Sequence, residues 1–375
     1  MSEKKTVTNN EPSSDEGYIF PTGEYQGVPY FKPPVGFCEE PALKEIGEAN
    51  RLNNLQAVSL PVTLFPVKNP ISVSFVYAHP ADYYGEPMLH AGVEDWKKHF
   101  RRFKKMHIDT VIFQAALWRE LNECYYQSKA FSFLKCYGVV EKMLQAAAEE
   151  SIHVYMGGYG SVAGWKARLT KEELEAEVAE HRKCFEELSQ LGTFDGMYFP
   201  SETSFRTKRL PEKEQRMNYL YRRFSDMVKE KNPHMKIIVS PATSHKPEYN
   251  DIFCDFWNAV MQNSHVDILM PQDCIGNAHS QLVWLPDQWK AWKSVADAHG
   301  IELWSHTEIF ERRGFRPEYN LFPAAPERVA AQLIQTAPYV TRHCCWEALS
   351  FASDRYGEEG SRLQYFMENG TVPVK

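Results

Sequence analysis

The sequence predicts an α/β fold, a single (β/α)₈ barrel preceded by an irregular N-terminal extension. Eight short runs with strand composition follow residue 70 at intervals of roughly 30 to 45 residues, and amphipathic helical patterns lie between them. Eight alternating strand–helix units are the number that closes such a barrel, which needs about 250 residues plus its loops. An open doubly wound sheet is the competing fold, but no glycine-rich phosphate-binding turn follows the first strand.

Each predicted strand is a short run with β-branched or aromatic residues, and each has the length and composition of a strand. The predicted strands comprise residues 71–77, 110–114, 152–156, 196–199, 236–240, 266–270, 301–305 and 344–349.

The helices between these strands are predicted from apolar spacing and from end signals. Val93, Trp96 and Phe100 recur at helical spacing after the first strand, and similar stripes follow the later strands. Residues 170–173 have the pattern of a capping box, and Pro233 ends a later helix. Together these signals place one helix after most of the strands.

The chain divides into three parts by composition. Residues 1–17 are polar, which predicts a disordered tail. Residues 18–65 are rich in proline, glycine and aromatic residues, which predicts an irregular extension packed on a larger body. Residues 66–375 are expected to form the barrel domain.

Composition and charge exclude several classes of protein. The hydrophobic content of 43% is too high for a disordered chain, and the net charge of −7 argues against broad binding to nucleic acid or to anionic membranes. No apolar stretch is long enough to span a membrane. The start of the chain lacks the apolar segment of a secretory signal, so we expect a cytoplasmic protein unless a signal has been removed. The eight cysteines form no C-x-x-C pair and are expected to be reduced.

Acidic residues follow two of the predicted strands, at the barrel end where active sites lie. Glu202 ends the fourth strand and Glu308 ends the seventh. Strands four and seven lie on opposing sides of a barrel mouth, so we expect the two carboxyl groups to face each other across a substrate. In glycosidic bond cleavage one carboxyl group protonates the leaving oxygen, while the other attacks the anomeric carbon or activates a water. The pair therefore predicts a glycoside hydrolase without a cofactor, and its expected partner is a saccharide or small glycoside.

Further residues near the predicted mouth are of types that bind sugars. Aromatic rings stack on the apolar faces of sugars, and amide, imidazole and carboxyl groups hydrogen-bond to sugar hydroxyls. The predicted substrate-binding residues are Gln114, Trp118, Tyr159, Tyr198, His245, Gln272, Asp273, Trp304, His306 and Trp346.

Several of these stretches resemble a known family, the glycoside-hydrolase-like TIM-barrel family that is classed as a domain of unknown function. The resemblance covers about residues 70–350. It is most specific in the Pro-Gln-Asp-x-x-Gly stretch of residues 271–276 and in the Trp-x-x-x-Glu-x-Phe stretch of residues 304–310. It implies a barrel and a hydrolase. The family is similar to a larger glycosidase clan, which implies Glu202 as the acid/base and Glu308 as the nucleophile. That clan usually has asparagine before the strand-four glutamate, whereas this chain has Ser201.

Three alternatives stay open at this point. Each glutamate could instead be an ion-pair partner of a nearby arginine, and the candidate arginines are Arg206, Arg209, Arg312 and Arg313. A metal-dependent barrel hydrolase or isomerase is the second alternative, because histidines lie near strand ends, although none has H-x-H or H-E-x-x-H spacing. The third is a barrel that binds a saccharide without cleaving it. The sequence leaves the sugar, its linkage, its anomeric configuration and the oligomeric state open.

Overall fold

A computed structural model describes most of the chain. The described residues are 22–25, 28–31, 43–59, 70–78, 88–119, 121–161, 170–205, 207–313 and 321–373. The predicted disordered tail, residues 1–17, lies outside the described residues.

Eight parallel strands form a closed barrel, which confirms the predicted fold class. Each strand pairs with its neighbours in chain order, and the eighth strand pairs with the first through His343 and Ile71. The strands are β1 (Ile71–Val76), β2 (Thr110–Phe113), β3 (His153–Gly157), β4 (Gly196–Phe199), β5 (Lys236–Val239), β6 (Ile268–Leu269), β7 (Glu302–Glu308) and β8 (Arg342–Trp346).

Helices follow the strands and cover the outside of the barrel. One of them begins at the predicted capping box, where the Thr170 hydroxyl accepts a hydrogen bond from the Glu173 amide. The described helices are α1 (Leu43–Ser59), α2 (Val93–Lys105), α3 (Val139–Glu150), α4 (Lys171–Leu188), α5 (Pro211–Lys231), α6 (Asn250–Met261), α7 (Leu285–His299), α8 (Pro326–Thr336), α9 (Ala348–Phe351) and α10 (Gly357–Asn369).

Two apolar cores result from the alternation of side chains along the strands. One lies between the barrel and the helices, and it contains large buried rings such as Trp96, Trp257 and Trp292. The other fills the barrel interior. Its members are Val73, Phe75, Ile112, Tyr155, Tyr198, Ile238, Ile268, Met270, Trp304 and Cys344.

The N-terminal extension contains more regular structure than its composition suggested. Residues 22–25 and 28–31 form a two-stranded antiparallel sheet, and α1 spans 17 residues. Most of the prolines and aromatic residues of the extension precede α1, whose own sequence has no proline and buries Ile46 and Ala57. The prediction of irregular structure was therefore wrong for α1.

None of the helices in the described part of the chain combines the length and apolar character needed to cross a membrane.

Candidate active site at the carboxyl end of the barrel

Glu308 ends β7 and is held by the loop that follows β6, which we call the β6 loop (residues 270–284). Only 3% of Glu308 is exposed. The backbone amide of Asn277 donates to its Oε2 at 2.8 Å, and the Asn277 side-chain Nδ2 donates to its Oε1 at 3.0 Å. Both carboxyl oxygens of Glu308 therefore have a hydrogen-bond donor from one residue.

Gly276 allows this loop to approach β7 closely. A Cβ at position 276 would lie 2.4 Å from the Phe310 carbonyl oxygen and 2.9 Å from the Cβ of Glu308. The Gly276 carbonyl also accepts a hydrogen bond from the Arg312 amide at 2.9 Å. A glycine is therefore needed at this point of the Pro-Gln-Asp-x-x-Gly stretch.

Asp273 was predicted to bind substrate, and the structure corrects this prediction. Its side chain is fully buried and accepts hydrogen bonds from the Ile275 amide, the Glu308 amide and Gln332 Nε2, at 3.1, 3.3 and 2.6 Å. Gln272 pairs with His306 as extended backbone, so the next side chain, Asp273, lies on the opposite face and contacts Gln332 of α8. Asp273 therefore anchors the β6 loop to β7 and α8.

Asp273 and Glu308 are two buried acidic residues in direct contact, because the Glu308 amide donates to the Asp273 carboxyl group. Burial raises the pKa of Asp273 to about 6. Burial, and then the negative charge of Asp273, raise the pKa of Glu308 to about 8, against the opposing effects of Asn277 and Arg328. The direction for Glu308 follows from its surroundings, because a buried carboxyl beside a second carboxylate resists ionisation. The surroundings of Glu308 therefore favour its protonated form.

Arg328 and Gln332 of α8 fix the end of β7 from the helix side. Arg328 Nη2 donates to the Glu308 carbonyl at 3.2 Å and also to the Phe310 carbonyl. Gln332 Nε2 lies 3.3 Å from the same Glu308 carbonyl. Both side chains are buried on the face of α8 that packs against β7.

Glu202 follows β4 and is half-buried. The preceding residue, Ser201, donates from its hydroxyl to the Ser161 carbonyl at 2.9 Å, which links the ends of β3 and β4. Burial raises the pKa values of Tyr198 and Tyr221, and the negative charge of Glu202 raises them further. Glu202 therefore lies within electrostatic range of an inward-facing ring of β4.

Gln272 and His306 lie side by side at the carboxyl end of the barrel. Their backbones form a parallel bridge, and both side chains contact Ser240. Gln272 Nε2 donates to the Ser240 carbonyl at 3.2 Å, and His306 Nδ1 lies 3.0 Å from the Ser240 hydroxyl. Burial lowers the pKa of His306 to about 3, so its imidazole is neutral at physiological pH.

Several buried polar atoms of the described residues have no hydrogen-bond partner. His306 Nε2 and Gln114 Oε1 are two of them, and both residues lie at the carboxyl end of a barrel strand. Gln114 directly follows β2, as predicted. Such atoms can form hydrogen bonds to the hydroxyls of a bound sugar.

Trp346 provides the aromatic surface at this end of the barrel. Its half-buried indole packs on Phe75, Tyr77 and His306, with ring centroids 5.2, 6.1 and 6.2 Å apart. Tyr198 meets the same Phe75 ring edge-on at 5.2 Å. The structure therefore brings together Tyr198, His306 and Trp346 from the predicted set.

Other predicted substrate residues lie elsewhere. Trp304 fills the amino-terminal part of the barrel interior, where its Nε1 donates to Glu302 at 2.8 Å and Arg342 lies over its ring. Since β7 is seven residues long, Trp304 is four residues before the end that carries Glu308. We therefore leave Trp304 out of the proposed site.

Three further predicted residues lie outside the eight barrel strands: Trp118, Tyr159 and His245. The Tyr159 ring lies 5.3 Å from the ring of His181 of α4. His245 stacks on Phe253 of α6 at 3.8 Å, and burial lowers its pKa to about 4. Trp118 forms a short strand that pairs with Gly160 in a small separate sheet. These placements favour packing roles.

The structure also bears on the alternatives left by the sequence. Arg209 pairs with Glu214, and Arg313 pairs with Glu311 and Glu359, while Arg206 lies outside the described residues. Within the described ranges, no three or more histidine, cysteine, aspartate or glutamate side chains are grouped so that they could hold a metal ion.

Sequence reasoning did not single out Asn277, Arg328 and Gln332. Asn277 directly follows the Pro-Gln-Asp-x-x-Gly stretch, which was a usable signal. Arg328 and Gln332 are four residues apart on the apolar face of α8, and buried polar residues at helical spacing need partners in the fold.

The model of one protein family matches residues 87–355, most of the chain; this family is described as a domain of unknown function, DUF4434. No curated protein sequence matches the chain.

Solved structures share the barrel fold. One is described as a candidate α-L-fucosidase from Bacteroides thetaiotaomicron VPI-5482; it is 18% identical, with 83% of this chain and 96% of that chain covered and a TM-score of 0.65. A GH113 β-1,4-mannanase is 11% identical, with 80% and 98% covered and a TM-score of 0.52. The C-terminal domain of a candidate chitinase from Desulfitobacterium hafniense DCB-2 is 9% identical, with 81% and 99% covered and a TM-score of 0.50.

Proposed function

The chain belongs to the DUF4434 family, and we propose that it is a glycoside hydrolase whose active site is the carboxyl-end mouth of the barrel. The observation that carries this proposal is the position of the two glutamates in a closed eight-stranded barrel: Glu202 follows β4 and Glu308 ends β7. Solved structures described as a fucosidase, a mannanase and a chitinase domain have the same fold, which supports a carbohydrate as the substrate class.

The surroundings of the two glutamates suit a saccharide. Trp346 offers a half-buried aromatic surface, and His306, whose Nε2 is unpaired, lies beside it. Gln114, which follows β2, has an unpaired Oε1. A sugar ring has apolar faces and hydroxyl edges, so it needs this combination of an aromatic surface and neutral hydrogen-bonding groups.

The environments of the two glutamates favour different roles. A general acid must carry a proton at the working pH, whereas a nucleophile or general base must be ionised. Burial and Asp273 favour the protonated form of Glu308, while Glu202 is half-buried. We therefore assign Glu308 as the proton donor and Glu202 as the nucleophile or base, which exchanges the roles implied by the family resemblance.

Glutamine and alanine variants test this assignment on a panel of aryl glycosides. Glu308→Gln should slow cleavage of an ordinary glycoside by about 10²–10⁴-fold but spare a dinitrophenyl glycoside, whose leaving group needs little protonation. Glu202→Gln should abolish cleavage of both substrates. Glu302→Gln is the matched control, because Glu302 begins the same strand at the opposite end of the barrel.

Azide rescue separates the two roles further if the enzyme retains configuration. With azide, Glu308→Ala should give a glycosyl azide of the substrate's own anomeric configuration, and Glu202→Ala one of the opposite configuration. The reverse pattern would restore the roles that the resemblance implies. Full activity in both variants would refute the two-carboxylate mechanism.

A barrel that binds a saccharide without cleaving it is the second candidate. It is favoured by the two hydrogen bonds from Asn277, which occupy both oxygens of Glu308. Saturable glycoside binding by the wild-type chain with no product from any substrate of the panel would support this second function and contradict the first.

A further inference from the structure

Helix α1 contacts the two parts of the chain between which Glu308 is held. On one side it reaches the end of the β6 loop. The Oδ1 of Asn53 accepts a hydrogen bond from the Leu282 amide at 2.9 Å, and the Oε1 of Gln56 accepts one from the Val283 amide at 3.1 Å. Asn53 is fully buried in this contact.

On the other side α1 reaches the segment that follows β7, residues 309–313. Asn50 Nδ2 donates to the Arg312 carbonyl at 2.7 Å, and Asn54 Nδ2 donates to Glu311 Oε2 at 3.0 Å. The other oxygen of Glu311 accepts from Arg313 Nε at 2.9 Å. Four side chains of one helix thus contact two separate segments.

These two segments meet each other at the site itself. The Arg312 amide donates to the Gly276 carbonyl, and the next residue, Asn277, donates to Glu308. The contacts from α1 lie only five residues after Asn277 and three residues after Glu308 along the chain. A change in the spacing of the two segments would therefore act directly on the Asn277–Glu308 hydrogen bonds.

We propose that α1 is a clasp that holds the β6 loop and the segment after β7 together, and that Asn50 and Asn53 are positioning residues for Glu308. The inference rests on the proposed function for its effect on activity. Its structural part concerns the Asn277–Glu308 contact alone. Helix α1 precedes the segment matched by the family model, so the site would depend on residues outside the family's matched region.

Asparagine accepts a hydrogen bond at position 53 but donates one at position 50. Aspartate and alanine variants should therefore differ at position 53 and agree at position 50. Asn53 accepts a hydrogen bond, so Asn53→Asp keeps the acceptor and Asn53→Ala removes it. Asn50 donates, so both Asn50→Asp and Asn50→Ala remove the donor. Arg51→Ala is the matched control, because Arg51 is exposed and pairs with Glu48 of the same helix.

The first readout is amide hydrogen exchange in the full chain at Leu282, Asn277 and Arg312. Asn53→Ala should speed exchange at Leu282 and Asn277 by at least about tenfold. Asn53→Asp should restore slow exchange, and Arg51→Ala should leave it unchanged. Asn50→Ala and Asn50→Asp should both speed exchange at Arg312 and Asn277. Faster exchange at Leu282 with no change at Asn277 in any variant would overturn the proposal.

The second readout is the pH dependence of kcat. The charged groups around Glu308 are Asp273 from the β6 loop, Arg328 from α8, and Glu311 beyond β7, which acts on Arg328. In variants that lose the clasp, kcat should fall by a larger factor than KM rises. The alkaline limb of the kcat–pH profile should move to higher pH. Altered exchange in a chain without any glycosidase activity would leave the clasp standing and refute only the proposed function.

Discussion

Asn277 donates to both carboxyl oxygens of Glu308, one from its backbone amide and one from its side chain. These donors favour the ionised carboxylate, while burial and the charge of Asp273 favour the protonated acid. The protonation state of Glu308 is therefore a balance that single substitutions around it can shift.

Removal of the Asn277 side chain should shift this balance towards the acid. In Asn277→Ala the pKa of Glu308 should rise further, by about 0.5–1 unit, because one of two donors to the carboxylate is lost. Asn277→Asp should raise it more, since it adds a second like charge. The alkaline limb of the kcat/KM profile measures both shifts. An alkaline limb that does not move in either variant would contradict the role of Asn277.

Gly276 should tolerate no side chain. Gly276→Ala places a Cβ against the Phe310 carbonyl oxygen at 2.4 Å, so the β6 loop must shift, with a loss of stability of about 1–3 kcal/mol. Gly47→Ala is the control, because a Cβ in the middle of α1 meets no atom within 4 Å. It should stabilise the helix by about 0.5–1 kcal/mol. Urea denaturation measures the unfolding free energy of both variants, which should fall in Gly276→Ala and rise in Gly47→Ala. The same change in both variants would contradict the close packing at Gly276.

Two buried histidines should make the protein sensitive to acid. Burial lowers the pKa of His245 to about 4 and that of His306 to about 3. The unfolded chain binds a proton at each histidine below about pH 6.5 while the folded chain does not, so stability falls as the pH drops from 6.5 towards 4. At pH 5 each histidine should oppose folding by about 2 kcal/mol.

The measurement is the difference in unfolding free energy between pH 7 and pH 5. His306→Gln should shrink this difference by about 2 kcal/mol, whatever the substitution does to stability at pH 7. The exposed His234 serves as the control, and His234→Gln should leave the difference unchanged. An unchanged difference in His306→Gln would show that His306 is protonated in the folded chain.

Glu308 should have the opposite effect on the alkaline side. Its pKa is raised to about 8, so between pH 4.5 and 8 the folded chain retains a proton that the unfolded chain releases. Stability is therefore lost as the pH rises through this range. Glu308→Gln should reduce the loss of unfolding free energy between pH 5 and 8 by a few kcal/mol at most. Glu302→Gln is the control. A decline of wild-type size in Glu308→Gln would contradict the buried acid.

A crystal structure with a bound saccharide should show the Glu202 and Glu308 carboxyl groups on either side of one glycosidic oxygen. A separation of about 5–5.5 Å means retention of configuration, and about 6.5–9.5 Å means inversion. The anomer of the first product, measured by NMR, should agree with the observed separation. Disagreement would mean that the two glutamates are not the catalytic pair.

The barrel was predictable because its signal is local. Each strand is a short apolar run, and the predicted runs contain or overlap all eight barrel strands. Helix α1 was harder to predict, because its partners on the barrel are 227 to 262 residues away in the sequence and bind it through polar side chains. Hydrophobic periodicity carries no information on such contacts.

The site was predictable only in part, for reasons of geometry. The sequence shows which residues follow a strand but not how far each strand extends, so Trp304 was placed at the mouth although β7 continues to Glu308. It also does not show which of two adjacent polar side chains faces the mouth, and side-chain alternation directs Asp273 towards Gln332 of α8. The positions of Glu202 after β4 and of Glu308 at the end of β7 were predicted, because they depend only on where the two strands lie in the sequence.

The closure of the barrel also determines when the site can form during synthesis. Arg342 of β8 donates from its Nε to the hydroxyl of Ser72 in β1, across 270 residues of chain. A ribosome adds about 5–20 residues per second, so β1 waits roughly 15 to 50 seconds for the strand that completes it. Throughout that time one edge of β1 is open to other strands, and α1 is made before the segments that it later contacts. The open edge of β1, the first barrel strand, must therefore be protected from other strands while the chain is synthesised. The site is among the last parts to assemble.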